Sequence, residues 1–420
     1  MTGNRSVPPQ APPTQDLPTQ GPPSQMLDGI TVLDFTRVLA GPHATRLMAD
    51  LGARIIKIER PGEGDEMRRA PAPLPGDGDQ STYFARRNAG KQSIAIDLSS
   101  EAGRELIHAL VPHVDVAIEN FMPGVADKLG CGYETLAAIK PDLVYCSVSG
   151  YGQTGPNAKQ GAFAHVVSAA SGLMHLDARA DGPRNSHLQA ADVLAGSNAF
   201  GAVMAALWRR DKTGQGAHID VSMLESLIAS EDISFGSVPN GVPSVPGPRP
   251  GMGLTQVDGQ WLAWQSGGAP GLWDRLCALM DTPELLTHPD FATAELRRDN
   301  WEPLQEHVSR WLGALDSRAD ALAALRGARI PCAPVLTPEE VVQDPQIQSR
   351  EAFTAVPHGD GSEVIVTSSP YWLDGQAVRP VGPAPYRIGE HTRSVLKELL
   401  DYDDKMLATL VDAGVISAPQ

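Results

Sequence analysis

The hydrophobic positions of this chain fall into short apolar runs separated by stripes at helical spacing. "GITVLDF" (29–35), "ARIIKIE" (53–59), "SIAIDL" (93–98), "VDVAIENF" (114–121) and "DLVYCSVSG" (142–150) are near-continuously apolar over strand length. Such runs suit strands buried on both faces. Between them "PHATRLMADLG" (42–52) reads as a helix ending at Gly52, "SEAGRELIHALVPH" (100–113) as a helix with Ser100 at its N-cap, and "YETLAAIK" (133–140) as a short helix. Strand and helix in alternation predict a parallel sheet covered by helices. The expected fold class is α/β, with a Rossmann-like large domain.

The rhythm changes farther on. A long helical stretch (about 190–210) and "AHIDVSMLESLIAS" (217–230) complete the large domain, expected over 27–230. The Pro/Gly-rich "SVPNGVPSVPGPRPGMG" (237–253) marks a linker, taken as 231–253. A smaller α+β segment is expected over 254–335, with "QWLAWQSGG" and the amphipathic "WEPLQEHVSRWLGAL". Residues 336–420, with helices in "TPEEVVQD" and "TRSVLKELLDY", are expected to return to the large domain. Residues 1–26 are rich in Pro and Gln and nearly free of large apolar side chains, so a disordered tail is expected there.

Charge and composition then narrow the partners. The formal net charge of −16 over 420 residues argues against nucleic acid and anionic membrane surfaces. No apolar run reads as long enough to span a bilayer, and no secretion signal is expected at the N-terminus. The four cysteines, Cys131, Cys146, Cys277 and Cys332, form no CxxC pair, which speaks against zinc and a disulfide framework. Reduced thiols in the cytoplasm are the expectation. The histidines show no HxH or HExxH spacing, so no metal site is expected, and no GxSxG supports a serine hydrolase.

Four stretches carry candidate chemistry. "GYGQTG" (150–155) matches the dinucleotide fingerprint, but Pro156 follows and no helix is expected to open there, so a turn beside a ligand is the better reading. "RVLAGPHATRLMADLG" (37–52) places Gly41-Pro42 at a helix start, either as an anion-facing N-terminus or as a plain loop. Arg60, Arg68, Arg86, Arg87 and Lys91 lie near expected strand ends. They read as phosphate recognition or as solvated surface charge. "LQAADVLAGSNAFGAVMAALW" (188–208) sets a single carboxylate, Asp192, among small and apolar residues. Asp192 reads as a helix N-cap, as a nucleophile in a partly desolvated site, or as both.

Taken together these stretches resemble the class III CoA-transferases, the group of formyl-CoA transferase, carnitine CoA-transferase and α-methylacyl-CoA racemase. The resemblance runs in order through "LDGITVLDFTRVLAGPHATRLMADLGARIIKIERPGEGD", "RNAGKQSIAIDLSSEAGRELI", "DVAIENFMPGVADKLG", "PDLVYCSVSGYGQTGP", "SGLM", "AADVLAG" and "RDKTGQGAHIDVSMLES", and more weakly beyond. It implies a Rossmann-like domain, a smaller domain and two interlocked chains. It implies coenzyme A or acyl-CoA as substrate and a small carboxylic acid as acceptor, with no tightly bound cofactor. By position, Arg60, Asn120 and Phe121 would contact CoA, with Val38, Ala40, Ile96 and Lys128 nearby. Asp192 matches the catalytic aspartate, and Gly267-Gly268 the glycine loop over the active site. Phe163-Ala164 stands where the transferases often carry an aromatic-acidic pair and the racemases a His-Asp pair. Transfer is therefore the first expectation, and α-methylacyl-CoA racemisation the alternative; a CoA-binding scaffold in which Asp192 is only a helix cap is a third.

Overall fold

In a computed structural model, residues 26–76, 80–178, 181–244 and 249–419 are described. The expected tail thus lies almost wholly outside the described residues. β1 (Thr31–Asp34) leads through α1 (Ala40–Asp50) to β2 (Arg54–Glu59), α2 (Thr82–Asn88) and β3 (Gln92–Ile96). Then come α3 (Glu101–Leu110), β4 (Val116–Glu119), α4 (Val125–Lys128), α5 (Tyr133–Ile139) and β5 (Val144–Ser149). They are followed by α6 (Ala164–Ala170), α7 (Leu173–Leu176), α8 (Ala190–Thr213), β6 (Ala217–Ser222) and α9 (Met223–Ser230). β1 to β5 form where the apolar runs were read, β6 was not among those runs, and Ser100 caps α3 by accepting a 3.0 Å bond from the Gly103 N–H.

The strands line up as β3-β2-β1-β4-β5-β6, with Ile416–Ser417 running antiparallel beyond β3. β1 pairs in parallel with β2 and β4, β2 with β3, and β4 with β5. The chain is therefore an α/β protein with a large, mainly parallel sheet. The order reverses between β1 and β4, and ligands of such sheets bind at the carboxyl ends of the strands at that reversal.

The chain divides into two compact units. The first holds the described chain up to Ser147, Ala199–Ile219 and the chain from Ala352 on. One of its cores gathers Leu33, Ile56, Ile94, Ala117 and Tyr145 from the sheet. Leu106 and Ile107 of α3 close over it, and so do Val395, Leu396 and Leu407 of the C-terminal helices. A hairpin of β10 (Phe353–Pro357) and β11 (Glu363–Thr367) belongs to the same unit. The second unit holds Val148–Asn198 and Asp220–Glu351. Within it β7 (Met252–Val257), β8 (Gln260–Gln265) and β9 (Cys332–Pro334) make an antiparallel sheet. Val257, Leu262 and Trp264 pack against Leu276, Leu304, Val308 and Leu325 from the helices. These boundaries differ from those read in the sequence. Residues 148–198 and 220–230 group with the second unit, and the return to the first starts at Ala352. Pro and Gly mark stiff or turning chain, whereas a unit is set by which apolar surfaces meet.

One helix departs from the sequence reading by length and composition alone, a test that core helices of globular proteins also pass. α8 is, by length and composition, apolar enough to cross a membrane, with a mean hydropathy of 1.4 over its most apolar stretch. The polar residues that interrupt the run in the sequence do not interrupt the helix. Ser197 folds its hydroxyl back onto the Val193 carbonyl at 2.9 Å, and Asn198 donates to Ser226 Oγ at 3.0 Å. A third of that stretch is buried within the chain.

Candidate active site

Three strands end on buried acids beside the reversal point: Asp34 on β1, Glu59 on β2 and Glu119 on β4. Unpaired, such charges are costly, so each is engaged. Asp34 accepts from Lys91 Nζ at 3.1 Å and from Thr45 Oγ1 at 2.8 Å. Glu59 accepts from Arg68 Nε at 2.8 Å, from Arg68 Nη2 at 2.6 Å and from Ser93 Oγ at 2.6 Å. Glu119 accepts from the Phe121 N–H at 2.7 Å. Burial works against the Asp34 carboxylate, yet Lys91 and Lys57 outweigh it and hold its pKa below the usual value. For Lys91 burial wins over Asp34, and its pKa falls to about 8.

These pairs correct the phosphate-recognition reading for Arg68 and Lys91. Arg68 and Lys91 are fully buried in their ion pairs. Arg86 donates to Thr367 Oγ1, and Arg87 Nη1 stands 2.9 Å from His43 Nδ1. Arg60 and Arg86 are the exposed members of the set, the Arg60 side chain 68% exposed and 3.1 Å from Glu63. The sequence shows the sign of each charge; which acids the parallel sheet delivers beside it is a tertiary fact.

The turn after β1 is held from both sides beside the reversal point. Asn120 Oδ1 accepts from the Arg37 N–H at 2.8 Å while its Nδ2 donates to the Arg37 carbonyl at 2.8 Å. The Arg37 guanidinium lies 5.5 Å from the centre of the Phe121 ring and 3.0 Å from Glu66. Val38 sits at φ +65°, the left-handed region that a β-branched residue avoids. Its N–H donates to Asp65 Oδ1 at 3.3 Å. Val38, Asn120 and Phe121 are thus brought together by the strand reversal. Ala40 opens α1 and is buried. Lys128 ends α4 and is exposed. Ile96 is part of the apolar core and 1% exposed, so its side chain is taken up by packing. Lys57, Asp65 and Arg37 were missed in the sequence. The signal was there for one of them: a lysine in the middle of the buried run "RIIKIE" requires a partner.

Asp192 belongs to the second unit. It is the third residue of α8, half-buried, and so is not the N-cap: α8 begins at Ala190, and the Val193 N–H bonds the Gln189 carbonyl at 3.1 Å. A carboxylate in the first turn still gains from the helix dipole. Its chain neighbour Ala191 opens a stripe of small buried residues, Ala191, Ala195, Ala199 and Val203, each 0% exposed. Gly267 and Gly268, in the same unit, follow β8; Gln265 Nε2 donates to the Gly267 carbonyl at 2.8 Å, and Gly268 adopts φ +91°. A Cβ on Gly267 would meet nothing within 4 Å, so that backbone is open to approach. Phe163 is 65% exposed and Ala164 buried, so the pair at this position offers no ionisable group. After Gly155 the chain turns without helix until Ala164, so "GYGQTG" lacks the helix N-terminus a dinucleotide needs. Among the described residues no group of three metal-ligating side chains occurs.

Known proteins are similar to this chain over most of its length. The family model described as CoA-transferase family III matches residues 27–392. Human succinyl-CoA:glutarate CoA-transferase is 32% identical over 413 residues, covering 93% of this chain and 90% of its own. Acetyl-CoA:oxalate CoA-transferase of Acetobacter aceti is 38% identical over 393 residues, covering 90% of this chain and 97% of its own. Among solved structures, a CAIB/BAIF family protein from Brucella suis aligns with a TM-score of 0.76 at 31% identity, over 90% of this chain and 100% of its own.

Proposed function

The chain belongs to CoA-transferase family III and is a CoA-transferase, and from that premise we propose that Asp192 carries the transfer as a covalent nucleophile. Its carboxylate oxygen attacks the thioester carbonyl of the donor. The C–S bond breaks, CoA leaves as thiolate, and an acyl-aspartyl anhydride remains. The thiolate then attacks the aspartyl carbonyl, expelling the donor acid and leaving an aspartyl-CoA thioester. The acceptor carboxylate attacks that thioester, and the released thiolate takes the acceptor acyl group, which regenerates Asp192. The route exchanges one energy-rich bond without spending it on water. The observation that carries the reading is the placing of a half-buried carboxylate in the first turn of α8, within "AADVLAG", beside a stripe of small buried residues.

Acyl-CoA is assigned to the reversal point of the large sheet, with Arg60, Val38, Asn120 and Phe121 in contact and Ala40 and Lys128 nearby. Support comes from the general behaviour of such sheets and from the rigid turn after β1. Any part for Ile96 is left to its backbone. Gly267-Gly268 is read as the loop that covers the reacting carbonyl and offers it an N–H. The relatives' names pair a CoA thioester with glutarate or oxalate, so a short dicarboxylate is the acceptor class we infer. We assign the uncovered length of α8, with Trp208 68% exposed, to a second copy of the chain in an interlocked dimer. The buried thiols of Cys131, Cys146 and Cys277, none in a disulfide, fit a reducing compartment.

The test is intact-mass and peptide mapping after mixing with a panel of acyl-CoAs, with hydroxylamine or borohydride as trap. Label on the peptide bearing Asp192, lost in Asp192→Ala together with turnover, is the expected result. Near-full activity of that variant would refute the nucleophile. Solvent deuterium entering the α-carbon of branched acyl-CoAs without acid exchange would favour racemisation. Light scattering at working concentration should give twice the chain mass; a monomer would refute the dimer.

A further inference from the structure

We propose that Asp65, anchored by Lys57, is a positioning residue that holds the turn Thr36–Val38 in the shape that receives acyl-CoA. The inference rests on the reading that acyl-CoA binds at the sheet reversal. Three observations carry it. Val38 is in a conformation its side chain disfavours, so the turn relaxes unless its surroundings impose the shape. Asp65 imposes it from the β2 side. Its Oδ1 accepts the Val38 N–H at 3.3 Å and the Met67 N–H at 3.0 Å, and its own N–H is tied to Glu59 Oε1 at 2.9 Å. Lys57 completes the link. Its Nζ donates to Asp65 Oδ2 at 2.9 Å and to the Thr36 carbonyl at 2.7 Å, one residue before Arg37.

The pair is sealed from solvent: the Lys57 side chain is 0% exposed and that of Asp65 1%. Neither group is available to touch substrate, so any effect on the reaction passes through the turn. Asn120 holds the same turn from the β4 side, and the two clamps grip the same two peptides, 36–37 and 37–38. The strained residue is thus gripped between two strands, and the turn's shape is fixed before ligand arrives. Pre-organisation of this kind strengthens binding by sparing the ordering cost.

The test is a cycle of Asp65→Asn, Val38→Gly and their combination, read as KM for acyl-CoA and for the acceptor acid against kcat. Glycine adopts positive φ without strain and so needs no clamp. The expected result is a KM for acyl-CoA raised roughly ten-fold in Asp65→Asn, with kcat and the acceptor KM within about threefold. In the Val38→Gly background the same substitution should change KM by under about threefold. Should Asp65→Asn fail to fold, Lys57→Met with Asp65→Leu removes both charges at once and leaves no buried charge unpaired; the same KM split is expected. An unchanged KM in the Asp65 variants, with KM raised in Val38→Gly, would overturn the positioning role and leave the CoA site standing. Loss of kcat and both KM values together, without relief by Val38→Gly, would mark Asp65 as structural only. If no variant alters acyl-CoA KM, the site reading falls as well.

Discussion

Asn120 closes a two-point ring with the backbone of Arg37, accepting the N–H and donating to the carbonyl, each at 2.8 Å. One side chain at the end of β4 thereby fixes the peptide that follows β1, across the point where the sheet reverses. Each hydrogen bond contributes about 0.5–1.5 kcal/mol. Asn120→Ala should therefore weaken acyl-CoA binding by roughly ten- to one-hundred-fold. Calorimetric titration with CoA measures it, and an unchanged affinity would detach this turn from CoA recognition.

The Arg68–Glu59 pair tests whether these charges serve the fold or the ligand. Glu59→Gln leaves the Arg68 guanidinium buried without a counter-charge. The expected loss is on the order of 3–5 kcal/mol in stability. Urea unfolding of the variant reads that loss directly. CoA affinity of the folded fraction should hardly move. Stability near wild type with lost CoA binding would return Arg68 to phosphate recognition.

His43 gives the fold a pH dependence of known sign. Burial first, and then Arg87, Arg86 and the other nearby cations, lower its pKa from 6.5 to about 4. The folded protein therefore binds fewer protons than the unfolded chain between those values, and stability falls as pH drops through that window. Above about pH 6.5 both states are neutral and the term vanishes. His43→Gln should flatten the change in urea midpoint between pH 6.5 and 4. A variant with the same acid slope as the parent would remove His43 from the account.

Gly268 is a further point of failure. At φ +91° an added Cβ would be strained, and it would stand 2.8 Å from Gln265 Nε2, the group that ties the Gly267 carbonyl. Gly268→Ala should lower transfer at least about ten-fold while the melting temperature shifts little, because the loop lies outside the apolar cores. With an imperfect cover, the share of thioester lost to water should rise. Parallel assays of transfer and hydrolysis decide the matter; an unaltered ratio would release the loop from the chemistry.

What was legible in the sequence is what local pattern controls. Buried parallel strands read as near-continuous apolar runs, so β1 to β5 stood out, and Ser100 announced α3 because capping is a matter of three residues. Asp192 stood out as a charge in an apolar run. Its place in the helix did not. The chain enters α8 at Ala190, three residues earlier than an N-cap reading of Asp192 allows, because nothing in "LQAAD" forbids helix.

The sequence by itself determined the element order, the α/β class and the set of stretches that place the chain in its family. Only the tertiary structure decided which charges are partners. Lys57, Arg68 and Lys91 are distributed over thirty-five residues of chain; Lys91 is matched by Asp34 at the end of β1, Arg68 by Glu59 at the end of β2, and Lys57 by Asp65 in the connection after β2. Hydrophobic periodicity is a property of neighbours in sequence, and it survives in one dimension. Ion pairing across strands depends on register and on the point where strand order reverses, and these exist only once the sheet is assembled.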